Sequence, residues 1–124
     1  MVQKKILIIE DDKDLVEIIK LHLEKEGYET DYAYDGQEAL KKIDYFKPDL
    51  IILDVMVPKM NGAMINTQLK NNSKTKDIPI IVITGKMGAK ELFLTGQQLN
   101  VSAFFYKPVL ISEIVNEIKK LLKQ

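Results

Sequence analysis

Cysteine is absent from the 124 residues, which excludes disulfides, thiolate metal sites and cysteine nucleophiles and fits a reducing compartment. A charge excess of either sign is missing as well. Lys+Arg and Asp+Glu both number 18, for a formal net charge of zero and a pI near 6.6. No overall field therefore draws the chain toward nucleic acid or an anionic membrane. Long apolar runs are lacking too. The basic start at Lys4-Lys5 is followed only by Ile6-Leu7-Ile8-Ile9 before three acids, far short of a signal-peptide core. No window approaches the roughly 18 uncharged apolar residues of a membrane span. Solenoid repeats, low-complexity tracts and linkers are absent, and Asn71 to Asp77 reads as a polar loop. The expectation is a soluble, cytoplasmic protein with residues 1–124 as one domain, large enough to bury a real core.

The residues that are present alternate in kind. Short runs rich in Ile, Leu and Val recur at Ile6–Ile9, Leu50–Leu53 and Ile80–Ile83. They are too short for helices and apolar on both faces, which predicts buried parallel strands. Weaker strand patterns lie at Glu29–Ala33, after the Gly27 turn, and at Ser102–Tyr106. Helical spacing fills the gaps: Leu15, Ile18, Ile19 and Leu23; Ala39, Leu40 and Ile43; Met64, Ile65 and Leu69; Leu92, Phe93 and Leu99; and Ile111 to Leu122. Gly27, Pro48, Asn61-Gly62, Pro79 and Pro108 punctuate the boundaries. Five βα units imply a doubly wound α/β sheet with right-handed crossovers. In such sheets ligands bind outside the carboxyl ends of the strands, where the strand order reverses.

The carboxyl ends of these strands carry Glu10-Asp11-Asp12, Asp54, Thr84-Gly85 and Lys107-Pro108. Any one of these acids alone reads best as a helix cap or a solvated turn. Together they mean more. With strand order 2-1-3-4-5, the first and third strands are neighbours, and Glu10, Asp11 and Asp54 share one crevice. Carboxylates there repel by about 4 kcal/mol per pair at ~4 Å and an effective dielectric near 20. Lys107 supplies one compensating charge, and a hard divalent cation would supply the rest. Mg²⁺, content with one or two carboxylates, waters and a phosphate oxygen, suits this count better than Ca²⁺. A carboxylate can attack phosphorus to give an acyl phosphate, and such transfer needs mainly positioning and charge neutralisation. Thr84 offers a hydroxyl and Gly85 an unobstructed backbone N–H.

Over essentially its whole length the chain resembles the receiver domain of two-component response regulators. The matching segments are Glu10-Asp11, Pro48 through Gly62, Ile78 through Gly85, and Lys107-Pro108. The resemblance implies a flavodoxin-like, five-stranded parallel sheet of order 2-1-3-4-5 with Asp54 as phosphoacceptor. It implies that Asp11 and Asp54 bind Mg²⁺ directly, Glu10 through water and Met56 through its carbonyl. Thr84, Gly85 and Lys107 would hold the phosphoryl group, with a cis peptide before Pro108, and Thr84 and Phe104 would form the switch. Partners would be a sensor histidine kinase or phosphotransfer protein upstream and an output protein or domain downstream. Neither nucleic acid nor membrane would be contacted directly, and a phosphorylation-dependent dimer is compatible with the family. The surface expected to change comprises the fourth helix, fifth strand and last helix. Catalysis would be limited to the protein's own phosphorylation and dephosphorylation.

Three departures from the family pattern stand out. Thr84 and Lys107 are 23 positions apart, one more than expected, and Lys86 to Lys90 is the segment expected to hold the extra residue. Asn100 occupies the usual Gly position before the fifth strand. Phe104, at the switch-aromatic position, lacks a tyrosine hydroxyl. The lone His22 lies near the apolar stripe of the first helix and reads as a packed or edge residue. Phe105 reads as strand packing, and Lys119, Lys120 and Lys123 as a solvated helix end. A competing function is a metal-dependent phosphohydrolase with an aspartyl nucleophile after the first strand, but the acid two residues beyond the nucleophile with its nearby Thr, and a cap, are not visible. A flavin module would want a Ser/Thr/Gly-rich loop where this chain has three acids.

Overall fold

Successive side chains of a strand face opposite sides of its sheet, so a strand covered on both faces must be apolar throughout. The computed structural model, which describes residues 3–54, 62–85 and 101–123, divides the apolar runs in this way. The strands are β1 (Lys5–Ile9), β2 (Glu29–Ala33), β3 (Leu50–Asp54), β4 (Ile80–Thr84) and β5 (Val101–Tyr106). All pairings are parallel, in the order β2-β1-β3-β4-β5. Helices α1 (Lys13–Lys25), α2 (Gly36–Phe46), α3 (Gly62–Lys70) and a C-terminal helix (Ile111–Leu121) cover the sheet. Leu7, Ile9, Ile51, Leu53 and Val82 pack with Ala39, Ile43, Ile65 and Leu69 from α2 and α3. Ile6, Ile8, Ile52 and Ile81 face the other way, toward Val16, Ile19 and Leu23 of α1 and Ile114 and Ile118 of the C-terminal helix.

Local chemistry sets the helix ends. Asp12 caps α1 by accepting the N–H groups of Asp14 and Leu15, and Asp35 caps α2 by accepting that of Glu38. Gly27, just past α1, has a φ of +95°, a conformation glycine adopts without steric cost. The side chain of Thr75 is buried and donates to the carbonyl of Leu69 at 2.6 Å, closing the end of α3.

Near the start of both strands, the β4–β5 register slips. Ile80 stands opposite Val101, whereas Ile81 stands opposite Ala103. Ser102 is therefore an additional residue on β5, and a bulge absorbs it locally. The predicted site for the extra residue, Lys86 to Lys90, lies outside the described residues, as do Met56 and the helix predicted around Leu92 to Leu99.

On the edge strand β2, side chains cover the outward backbone groups of Tyr32. The N–H of Glu29 and the C=O of Ala33 bond toward β1, so strand alternation turns the backbone groups of Tyr32 outward. The Tyr32 N–H donates to Asp31 Oδ1 at 2.8 Å. Its carbonyl accepts from Lys42 Nζ, which also pairs with Asp31 at 3.1 Å. The Tyr34 N–H donates to Glu38 Oε1 at 2.9 Å. Such covering is a known defence against edge-to-edge association. Lys42→Ala is expected to elute earlier than wild type with rising concentration on gel filtration; superimposable elution at every concentration would remove Lys42 from this protective role.

Candidate functional site

In the parallel ladder Ile9 pairs with Leu53 and Asp54 with Ile83, so the residues closing β1, β3 and β4 emerge side by side at the carboxyl edge. Glu10 is fully buried and its N–H donates to the Ala33 carbonyl at 3.0 Å. Asp54 and Thr84 are buried as well, while Asp11 is exposed. Lys107 follows β5, its N–H donating to the Thr84 carbonyl at 2.8 Å. The Lys107–Pro108 peptide is cis.

The side chains converge on one point. Lys107 Nζ lies 3.1 Å from Asp54 Oδ2, as a hydrogen-bonded ion pair, and 2.8 Å from Glu10 Oε1. The second contact is close by distance, but Oε1 finds no partner in hydrogen-bonding geometry among the described residues. The pairing of Lys107 with Oε1 is Coulombic. Glu10, Asp11 and Asp54 each present one oxygen within 4.8 Å of the others.

Burial pushes the Glu10 carboxyl up to about 7, against the opposing pull of Lys107 and of the Asp12 N–H, with the Asp54 charge adding to the rise. Burial works to lower Lys107, but its contacts with Glu10 and Asp54 outweigh this and hold it above its ordinary value. One ammonium facing three carboxylates leaves negative charge uncompensated. All the donors are hard oxygens, and among the described residues one buried oxygen has no partner in hydrogen-bonding geometry, a set that fits Mg²⁺.

The remaining predicted site residues fall as follows. Gly85 lies at the exposed end of β4, where a Cβ would meet Lys107 carbons at 4.0 Å, ordinary contact. Phe104 is half-buried against the α2/α3 face, opposite Val82, with its ring centroid 5.2 Å from that of Tyr106. Met56 lies outside the described residues. Sequence reasoning missed two links. Lys107 bridges to Glu10 as well as to Asp54, and Asp12 donates its N–H to Glu10 Oε2 at 3.1 Å. An acid directly before a helical run was a legible cap signal for Asp12, but its backbone bond to Glu10 had no signal.

The family model of the response regulator receiver domain matches residues 6–119. The chain belongs to that family. The receiver domain is 36% identical over 121 residues to the alkaline phosphatase synthesis transcriptional regulatory protein PhoP of Bacillus subtilis, covering 98% of this chain and 49% of that protein. It is 38% identical over 120 residues to the response regulator ArlR of Staphylococcus saprophyticus, covering 97% and 53%. The chain thus spans about half the length of the curated relatives it matches. Among solved structures, the non-phosphorylated HemR receiver domain from Leptospira biflexa superposes with a TM-score of 0.85 at 30% identity, covering 98% of this chain and 96% of that one. A two-component response regulator from Clostridium difficile gives 0.87 at 29% identity, covering 98% of each. The receiver domain is a signalling module, and its sheet order matches the flavodoxin-like expectation. No described helix is long and apolar enough to cross a membrane.

Proposed function

We propose that residues 1–124 form a single receiver domain that takes a phosphoryl group onto Asp54 from a phosphohistidine on a partner kinase or phosphotransfer protein. The observation carrying this reading is the convergence of a buried carboxylate at the end of β3, a bridging lysine and two further acids. An Asp54 oxygen attacks phosphorus, the phosphorus–nitrogen bond of the donor breaks with its electron pair passing to the imidazole, and an acyl phosphate forms. Lys107 Nζ, already 3.1 Å from Asp54 Oδ2, offsets charge gathering on the phosphoryl oxygens. The Thr84 hydroxyl and the Gly85 N–H donate to those oxygens. Asp11 and Asp54, with Glu10 through water and the Met56 carbonyl, would hold Mg²⁺, which would supply further charge neutralisation when bound.

The same residues serve the reverse step, in which water releases the phosphate, so catalysis is confined to the domain's own modification. Thr84 and Phe104 act as the switch, passing the change to the surface of the fourth helix, expected around Leu92 to Leu99, β5 and the C-terminal helix. That surface engages an output protein or domain or supports a phosphorylation-dependent dimer, in the cytoplasm and without direct contact to nucleic acid. Mass spectrometry after incubation with a small phosphodonor and Mg²⁺ tests the reading. One base-labile phosphoryl group mapping to Asp54 is the expected result, and labelling at His22 or at a hydroxyl overturns it.

A further inference from the structure

We propose that Asp12 is a positioning residue of the acidic site: its backbone N–H orients the Glu10 carboxylate, while its side chain holds the turn carrying Glu10 and Asp11 against α1. The proposal rests on the reading of that site as one for a divalent cation and a phosphoryl group. Four hydrogen bonds meet at Asp12. Its N–H donates to Glu10 Oε2 at 3.1 Å. Its Oδ1 accepts the N–H groups of Asp14 at 3.0 Å and Leu15 at 3.2 Å. Its carbonyl accepts the Val16 N–H at 3.0 Å, the first helical bond of α1.

Each bond has a consequence. A buried carboxylate can present either oxygen to its neighbours, and the Asp12 N–H selects Oε2. This leaves Oε1 facing Lys107 Nζ at 2.8 Å without a donor in hydrogen-bonding geometry. The side chain of Asp12 is spent on the helix end and is not one of the three acids whose oxygens converge, so it acts through its neighbours. Asp11 sits between two anchored residues, with the Glu10 N–H fixed to Ala33 and Asp12 fixed to α1. The direction of its Cα–Cβ bond is thereby set from both sides.

The test compares Mg²⁺ titrations of wild type, Asp12→Ala, Asp12→Asn and Asp12→Ser by NMR, at a temperature where circular dichroism finds all four folded. Asp12→Ala is expected to bind Mg²⁺ about tenfold more weakly, the lower end of the range for residues that support metal ligands. Asp12→Asn and Asp12→Ser, which retain capping ability, should stay close to wild type. In a metal-free sample, Glu10→Ala should speed hydrogen exchange of the Asp12 amide, whose acceptor is Glu10 Oε2, while the Leu15 amide held by the Asp12 side chain stays protected, a pattern that a cap without the Glu10 bond would not give. Wild-type affinity in Asp12→Ala overturns the proposal. So does Asp12→Asn binding as weakly as Asp12→Ala, because charge rather than positioning would then be at work. A wild-type protein that binds no Mg²⁺ overturns the reading of the site and the proposal with it, an outcome recognisable before any variant is made.

Discussion

Asp54→Asn is expected to lose phosphoryl labelling altogether while keeping its fold. Asparagine has nearly the shape of aspartate, and Asp54 makes its position through β3, where the backbone pairs with β4 opposite Ile83. What the substitution removes is the anionic oxygen that attacks phosphorus, together with one of the three oxygens that converge within 4.8 Å. The amide is a poor nucleophile and a weak ligand for a hard cation. Two readouts therefore fall together: labelling by a small phosphodonor disappears, and Mg²⁺ binding weakens. Circular dichroism superimposable on wild type establishes that the loss is chemical. A fully folded Asp54→Asn protein that still takes up one base-labile phosphoryl group would move the acceptor to another residue and end the assignment of Asp54.

The parts of this fold that were legible in the sequence are those whose physics is local. Ile6–Ile9, Leu50–Leu53 and Ile80–Ile83 announce strands because both of their faces are buried, so four apolar residues in a row leave little alternative. Glu29–Ala33 was a weaker signal for the complementary reason. As an edge strand it is buried fully only at Ala33, and its polar residues serve the edge rather than the core. The convergence of Glu10, Asp54 and Lys107 followed from strand order alone, since each directly follows or ends a strand. Bonds that depend on where a backbone N–H points were not legible. Asp12 reaching back to Glu10 is one, and Lys42 crossing ten residues to cover Tyr32 is another. The bulge at Ser102 belongs with them, because nothing in Val101–Tyr106 marks where the pairing with β4 slips.

Lys107→Ala is expected to destabilise the metal-free domain strongly, and more at high pH than at low. Lys107 touches two buried carboxylates, and its own side chain is 26% exposed. Breaking a buried pair by deleting one partner costs about 3–5 kcal/mol, and the partial exposure places this case near the lower end, about 3 kcal/mol. The pH dependence follows from Glu10. In wild type its carboxyl is raised from 4.5 to about 7, so the folded state keeps a proton that the unfolded state releases over that window. Stability accordingly falls as pH rises from about 4.5 to about 7, where the full cost of the buried charge is reached. Without Lys107, whose contact lowers the Glu10 pKa, the carboxyl rises further and the decline extends to higher pH. Urea unfolding in chelator at about pH 5.5 and about pH 8 should therefore give a deficit against wild type that is larger at the higher pH. Mg²⁺ should restore part of it by replacing the lost positive charge. Labelling at Asp54 should survive in Mg²⁺, because the acceptor and the other acids remain. The accompanying amide-shift changes along β5 and around Phe104 should shrink, because Lys107 is the covalent continuation of β5 into the site. A Lys107→Ala protein as stable as wild type at both pH values would mean that the two carboxylates carry no mutual charge. Unchanged amide shifts after phosphorylation would remove Lys107 from the switch.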